Sequence, residues 1–317
     1  MRDIIKKICK YVVNNDYRFL INASKGKYDA YNDEEFLKRK YKACMAHELS
    51  LENPTTFNEK LQWLKLYNRK PEYTTMVDKY AVRKYIATKL GEKYLIPLLG
   101  VWDSPDEIDF GSLPNKFVLK CNHNSGLGMY ICKDKSKMDV KKVKKELLKG
   151  LAQDYYLTGR EWPYKNVPRK IIAEQFMENT AQLTLLGKVD GLPDYKFYCF
   201  NGVVKLVMIN TDRNSDKPTK ADYFDRDFKW LDFKWGYEHA DICPHKPTKY
   251  KEMLHIAEKL SQGLPHVRVD LYECNGNIFF GELTFFDGSG FDRFEPPEWD
   301  ETLGNWINLP DKKIEED

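Results

Sequence analysis

The stretch that decides the reading lies near the C-terminus: Arg268-Val269-Asp270-Leu271, a turn at Asn275-Gly276, then Gly281-Glu282-Leu283-Thr284. Two apolar runs flanking Asn-Gly form a hairpin signal. Val269, Leu271, Ile278, Phe280 and Leu283 mark the hairpin as buried. Carboxylates carried on a buried hairpin need partners. Asp270 and Glu282 are hard oxygen donors on adjacent strands, which is what a Mg²⁺ ion held between nucleotide phosphates requires. Register decides whether they meet. A strict two-residue turn pairs Cys274 with Asn277 and sends the two carboxylates to opposite faces. A three-residue loop over 274–276, with Gly276 as a left-handed bulge, pairs Glu273 with Asn277 instead. Arg268, Asp270, Glu282 and Thr284 then share one face, so the bulged loop is the expected form.

A second hairpin precedes it, with strands at 195–200 and 203–209 around Asn201-Gly202. Lys196 opens its first strand and Arg213 follows its second. Basic groups so placed can hold phosphates or a carboxylate. Taken alone, an ordinary charged hairpin is an equal reading. Further upstream a strand over 117–120 ends in Lys120 and runs into Cys121-Asn122-His123-Asn124-Ser125-Gly126-Leu127-Gly128. Backbone N–H groups of such a loop can cradle phosphates while the lysine pairs with their charge. By itself this pattern is commoner in plain turns.

The rest of the chain fills in around these motifs. Asn32 starts a helix, Thr56 and Glu59 have capping-box spacing, and Asp78 caps a helix that Gly91 ends. Residues 95–102, 130–132 and 171–176 read as strands, and 141–157 and 250–262 as helices. A helical N-terminal part followed by hairpins and helices argues for α+β with mostly antiparallel sheet, not a doubly wound parallel sheet. The expected division is 1–115 helical, 116–175 a small subdomain with the Gly-rich loop, 176–310 a second subdomain with the metal site, and 311–317 a polar tail.

Of the 317 residues 42% are hydrophobic and 14% aromatic, which predicts a folded core rather than disorder. A net charge of +3 is too small to make nucleic acid the partner. The eight lysines across residues 133–149 are interspersed with acids and read as a solvated helix face. Seven cysteines, none at CxxC spacing, suggest neither a disulfide framework nor zinc, and a reducing, cytoplasmic setting. No apolar run is long enough to span a bilayer. Residues 4–13 do place Ile4, Ile5, Ile8 and Val12 on one helical face, away from Lys6, Lys7 and Lys10. Such a helix can lie on the inner face of a membrane. Packing on its own domain is the expected arrangement, with residues 1–20 as the candidate membrane contact otherwise.

The ordered set resembles an ATP-grasp enzyme: Asp78-Lys79, strand–Lys120–Gly-rich loop, Ile171-Ile172-Ala173-Glu174-Gln175-Phe176-Met177, Asp194-Tyr195-Lys196, Arg213, then Asp270 and Glu282. Three stretches are similar to the teichuronopeptide-biosynthesis (TupA-like) branch: the segment from Asn53-Pro54-Thr55-Thr56-Phe57-Asn58-Glu59 to Trp63, Val77-Asp78-Lys79-Tyr80-Ala81-Val82-Arg83, and Gly281-Glu282-Leu283-Thr284-Phe285. The likeness covers residues 35–309.

This resemblance implies two α+β subdomains clasping ATP. It implies Lys79 and Lys120 on the phosphates, with the loop of Asn124, Ser125, Gly126 and Gly128 closing over them. Glu174, Gln175, Phe176 and Met177 would form the adenine-binding hinge, and Asp194 would reach the ribose. Lys196 and Arg213 would stand near the transferring phosphoryl group. Mg²⁺ would sit on Asp270, Glu282 and Thr284, the last standing where the family has Asn. Arg268 and the loop Asp287-Gly288-Ser289-Gly290 would lie near the acceptor. The implied reaction is carboxylate–amine ligation through an acyl phosphate. Its partners would be a small-molecule or lipid-linked saccharide carboxylate and an amine or amino acid, in surface polysaccharide or capsule synthesis. A glycosyltransferase is the alternative, with Asp225-Arg226-Asp227 as its metal motif. A non-catalytic scaffold is favoured only by Thr284.

Overall fold

The computed structural model describes residues 2–178, 192, 194–211 and 218–312. Arg213, expected beside the phosphates, lies outside the described residues.

Six helices come first: α1 (Arg2–Val13), α2 (Asn15–Ala23), α3 (Asp33–Met45), α4 (Phe57–Tyr67), α5 (Pro71–Val77) and α6 (Val82–Lys89). Their starts follow from local chemistry. The Asn32 side chain accepts from Glu35 N at 2.8 Å to open α3. Thr56 and Glu59 form the expected capping box on α4, a feature that contributes about 1 kcal/mol. The Asp78 carboxylate accepts from Tyr80 N and Ala81 N in the turn before α6.

α1 packs on its own domain as expected, but not through its apolar row. Ile4, Ile5, Ile8 and Val12 are 64%, 54%, 59% and 64% exposed. The helix meets α2 through its other flank, where Tyr11 donates to Asn22 at 2.8 Å and the Lys10 ammonium lies over Tyr17.

Two sheets follow. The first is a four-stranded antiparallel sheet built from β1 (Leu98–Trp102), β2 (Phe117–Cys121), β3 (Tyr130–Cys132) and β4 (Ile171–Gln175), in the order β1-β4-β2-β3. It therefore draws one strand from upstream of residue 116. α7 (Val140–Ala152) covers it, with Val143 and Leu147 packing on Phe117, Leu119 and Ile171. The expected single helix over 141–157 is broken here, and α8 (Tyr155–Gly159) is separate. Arg169 takes the carbonyls of Leu151 and Ala152, and His123 contacts that of Gln153, so the helix end is satisfied without another turn.

The second sheet holds β5 (Asp194–Phe200), β6 (Val203–Thr211), β7 (Lys220–Asp225), β8 (Trp230–Leu231), β10 (His266–Cys274) and β11 (Asn277–Thr284), in the order β11-β10-β5-β6-β7-β8. β9 (Lys234–Trp235) and β12 (Phe294–Glu295) pair separately, and α9 (Tyr250–Ser261) and α10 (Glu298–Asn305) complete the chain. Among the described residues the ladders between these strands are all antiparallel. α9 buries Met253, Ile256, Ala257 and Leu260 against Phe197, Val267, Val269 and Leu271. Because strand side chains alternate, the neighbouring residues Lys196, Tyr198, Arg268 and Asp270 face the other way. This leaves a polar face on the sheet, and the site is built on it.

The hairpin at Asn275-Gly276 corrects the expected loop. Cys274 pairs with Asn277 and Glu273 with Ile278, so the turn has two residues. Both turn residues have positive φ, 50° and 75°, as such a turn requires. The register shifts instead between Asp270 and Leu271, which pair with Glu282 and Phe280. Gly281 is the extra residue. A Cβ there would lie 2.9 Å from the Tyr272 ring and 3.1 Å from the Asp270 carbonyl oxygen, so only glycine fits this bulge undisturbed. The shared face of Asp270 and Glu282 stands, but a bulge in mid-strand produces it.

Candidate active site

Two rows of side chains cross the polar face. Lys196, Asp270 and Glu282 are cross-strand neighbours, as are Tyr198, Arg268 and Thr284. Asp270 is buried between cations. Its Oδ1 accepts from Arg268 Nε at 2.6 Å, and its Oδ2 from Arg268 Nη2 at 2.8 Å and from Lys196. Lys196 also pairs with Asp194 at 2.7 Å. Burial raises the Asp270 pKa, and Arg268 and Lys196 oppose that rise. Arg268 further bonds Glu282 at 3.2 Å and pairs with Asp287, which accepts from the Tyr198 hydroxyl. Asp194 is itself buried in β5 beside Lys196.

Glu282 is more open, its side chain one-third exposed, and Thr284 Oγ1 lies 3.5 Å from it. Lys79 spans from this face to the small sheet. Its Nζ lies 3.7 Å from Glu282 and donates to the Asn124 carbonyl at 2.7 Å. Ser125 lines the same cavity as Arg268, Glu282 and Thr284. The loop is seated by Gly128, which has φ +73° and where a Cβ would fall 2.6 Å from Cys121 Sγ and 2.8 Å from Gly150 Cα of α7. Gly126 also has positive φ and stands in open space.

Lys120 and Arg83 both pair with Glu174, at 2.7 and 3.1 Å. Gln175 ends β4, and Phe176 and Met177 lead to Glu178, whose carbonyl accepts from Asn275 at the hairpin turn. The expected hinge residues thus run from one sheet to the other. The structure brings Lys79, the Asn124–Ser125 loop, Arg268, Glu282 and Thr284 to one cleft, with Lys196 and Asp270 beneath.

A divalent cation is tested by its donors. Among the described residues no three His, Cys, Asp or Glu side chains form a ready-made metal cluster. Asp270, Glu282 and the Thr284 hydroxyl supply two carboxylates and one weaker oxygen on one face. That fits Mg²⁺ arriving with phosphate oxygens, because this ion is usually held by one or two carboxylates plus substrate phosphates.

Asp225, the alternative metal motif, is placed otherwise. Its carboxylate accepts from Asp227 N and Lys229 N and closes the turn after β7, while Arg226 pairs with Glu258 of α9.

Sequence reasoning passed over two residues beside the cleft. Lys65 is wholly buried and donates to Gln62, the Gly159 carbonyl, and both the carbonyl and hydroxyl of Ser289. Glu161 is 5% exposed and lines the cavity. Lys65 falls four residues after Leu61 on the buried face of α4, which was the available signal.

The sequence matches the TupA-like ATPgrasp family over residues 59–308, most of its length. The chain belongs to the TupA-like ATP-grasp family. No curated protein matches it. Among solved structures it is similar to an L-amino acid ligase from Bacillus licheniformis, at 12% identity and TM-score 0.46, covering 82% of this chain and 58% of that one. It is also similar to D-alanyl-alanine synthetase A from Vibrio cholerae O1 biovar eltor, at 10% identity and TM-score 0.41, covering 78% and 62%. A D-alanine–D-alanine ligase from Bacillus anthracis complexed with ATP matches at 12% identity and TM-score 0.37, covering 67% and 54%. The chain thus spans between half and two-thirds of the length of these three structures. The ATP-grasp architecture expected from the sequence, α+β with two antiparallel sheets after N-terminal helices, is the architecture of this TupA-like chain.

Proposed function

We propose that the protein is an ATP- and Mg²⁺-dependent carboxylate–amine ligase that works through an acyl phosphate. The observation that carries this reading is the cleft itself. Lys79 and the loop of Asn124 and Ser125 face Arg268, Glu282 and Thr284 across it. Membership of an ATP-grasp family supports nucleotide as the occupant.

The chemistry asks for little covalent work from side chains. A carboxylate oxygen attacks the γ-phosphorus of ATP, the bond to the β,γ-bridging oxygen breaks, and ADP leaves with the electron pair. An amine nitrogen then attacks the acyl carbon, the C–O bond to phosphate breaks, and phosphate leaves as the amine sheds its protons. Lys79, Lys120 and Lys196, with Arg213, would hold charge on the phosphates, and Arg268 would face the acyl oxygen. Glu282, Asp270 and Thr284 would hold Mg²⁺, which when bound supplies neutralisation of phosphate charge. For nucleotide to enter, Lys120 would exchange Glu174 for phosphate, and Lys79 would swing from the Asn124 carbonyl. Asp194, Glu174, Gln175, Phe176 and Met177 would border the nucleoside.

The proposed substrates are a carboxylated sugar, free or lipid-linked, and an amino acid or amine, in surface polysaccharide synthesis. No helix among the described residues is long and apolar enough to cross a membrane. The exposed row of Ile4, Ile5, Ile8 and Val12, opposite Lys6, Lys7 and Lys10, fits an anionic lipid surface, with the enzyme at the cytoplasmic face.

Hydroxylamine tests the reaction, because it converts an acyl phosphate to a hydroxamate. With Mg²⁺, ATP and a panel of uronic acids, the reading predicts hydroxamate and ADP in equal amounts. ADP release without hydroxamate from any carboxylate would count against it.

A further inference from the structure

Beside Arg268 and Glu282 the cleft deepens into a cavity of about 270 Å³. Its lining includes Arg268, Glu282 and Thr284 of the sheet, Tyr155, Thr158, Glu161 and Tyr164 from the segment after α7, and Ser289. Pockets for drug-sized ligands run to about 300–1,000 Å³, so this space suits something smaller than a nucleotide.

Glu161 is the unusual member. It is 5% exposed, and among the described residues no cation lies within ion-pair reach of its carboxylate. The Ser289 hydroxyl stands beside it, both side chains lying against Gly159. Gly159 allows this approach, since a Cβ there would fall 2.0 Å from Ser289 Oγ and 3.3 Å from Glu161 Oε1. Ser289 is held in the left-handed region, φ +54°, by Lys65, which donates to its hydroxyl at 3.0 Å and its carbonyl at 2.7 Å. A serine in that conformation is strained, and the surrounding bonds sustain it. With the Ser289 oxygen accepting from Lys65, its proton is free to point to Glu161. Burial raises the Glu161 pKa, and Lys65 at longer range opposes this.

A buried carboxylate without a cation is costly. Elsewhere in the cavity Glu282 and Asp287 add negative charge, and the one guanidinium, Arg268, is already shared among Asp270, Glu282 and Asp287. The cavity therefore favours a cation. Tyr155 and Tyr164 meet edge to face with centroids 4.8 Å apart, a rigid aromatic wall of the kind that attracts an ammonium group.

We propose that this cavity is the subsite for the amine nucleophile, a primary ammonium compound of amino-acid size, with Glu161 as its counter-charge and Tyr155 and Tyr164 as its wall. The assignment rests on the ligase reading, because the cavity adjoins the Arg268–Glu282 face on which the acyl phosphate would form. Glu161 binds the amine. Lys65 is a positioning residue that acts through Ser289.

The test measures the thermal unfolding midpoint of the full chain with Mg²⁺ and a non-hydrolysable ATP analogue. Glycine, L-alanine, L-glutamate, L-lysine and ethanolamine are then added singly at millimolar concentration, with acetate and propionate as controls lacking the amine. At least one amine is expected to raise the midpoint of the native protein, and the controls are not. Glu161→Gln is expected to keep the nucleotide shift and lose the amine shift. Thr158→Phe, at an exposed position on the cavity wall, is expected to do the same by filling the space, and it covers the case in which Glu161→Gln fails to fold. No amine shift in the native protein, or an equal one in both variants, would overturn the subsite while the nucleotide shift still stood. Loss of the nucleotide shift in the native protein would instead sink the ligase reading, and the subsite with it.

Discussion

Glu282 sits where Lys79 of the helical part and Arg268 of the second sheet converge, at 3.7 and 3.2 Å. Its side chain is one-third exposed, so its ion pairs add little to folding stability. Glu282→Gln is expected to abolish Mg²⁺-dependent nucleotide stabilisation and turnover while leaving the ligand-free unfolding midpoint within a few degrees of the native value. Activity near native would remove it from the metal site. Lys65 presents the opposite case, an amine committed to the interior. Burial pushes its ammonium down to about 7, against about 10.4 for an ordinary lysine. Between these values the unfolded chain binds more protons than the folded one, so folding gains stability as pH rises through that window. Lys65→Met should lack this gain. Urea unfolding from pH 7 to 10 would show a steeper rise for the native chain, and equal slopes would contradict the burial of Lys65 and the lowering of its pKa.

At the scale of elements, the β10–β11 hairpin shows what a bulge can do. It moves Glu282 onto the face of Asp270 without altering the turn. Gly281→Val is expected to cost about 1–3 kcal/mol in urea unfolding, as overpacked sites do, and to weaken nucleotide binding by turning Glu282 away. Unchanged nucleotide binding would mean that the bulge does not position Glu282. Both hairpins, the capping box of α4, the strand before the Gly-rich loop and the common face of Arg268, Asp270, Glu282 and Thr284 were legible from local pattern. The position of the bulge was not. Asn275-Gly276 offered a glycine at the turn, and the isolated glycine at 281, itself a bulge signal inside a strand, was passed over. Residues 155–164 were illegible for a different reason. Tyr155, Glu161 and Tyr164 gain their meaning only by sharing a cavity with Ser289, more than a hundred residues away, and no local periodicity records that. The break between α7 and α8 likewise depends on Arg169 and His123, from loops beside the small sheet.

For the whole molecule, α1 and the cleft are separable. Among the described residues α1 leaves five large apolar side chains in solvent, Ile4, Ile5, Ile8, Val12 and Val13, and none of its residues lines the cavity beside Arg268. Ile5→Asp together with Ile8→Asp should abolish sedimentation with vesicles containing phosphatidylserine and leave the nucleotide shift intact. Retained sedimentation would exclude this helix as the lipid contact, and a lost nucleotide shift would show that the N-terminal helices support the cleft. The central claim is that nucleotide lies between the two sheets, against Lys79, Lys120 and Glu282. The most direct test is the thermal unfolding midpoint with ATP, with and without Mg²⁺, beside a UDP-sugar control, because a ligand that binds only the folded state must stabilise it. The account predicts a Mg²⁺-dependent rise with ATP and none with the UDP-sugar. A rise with the UDP-sugar and none with ATP would contradict it.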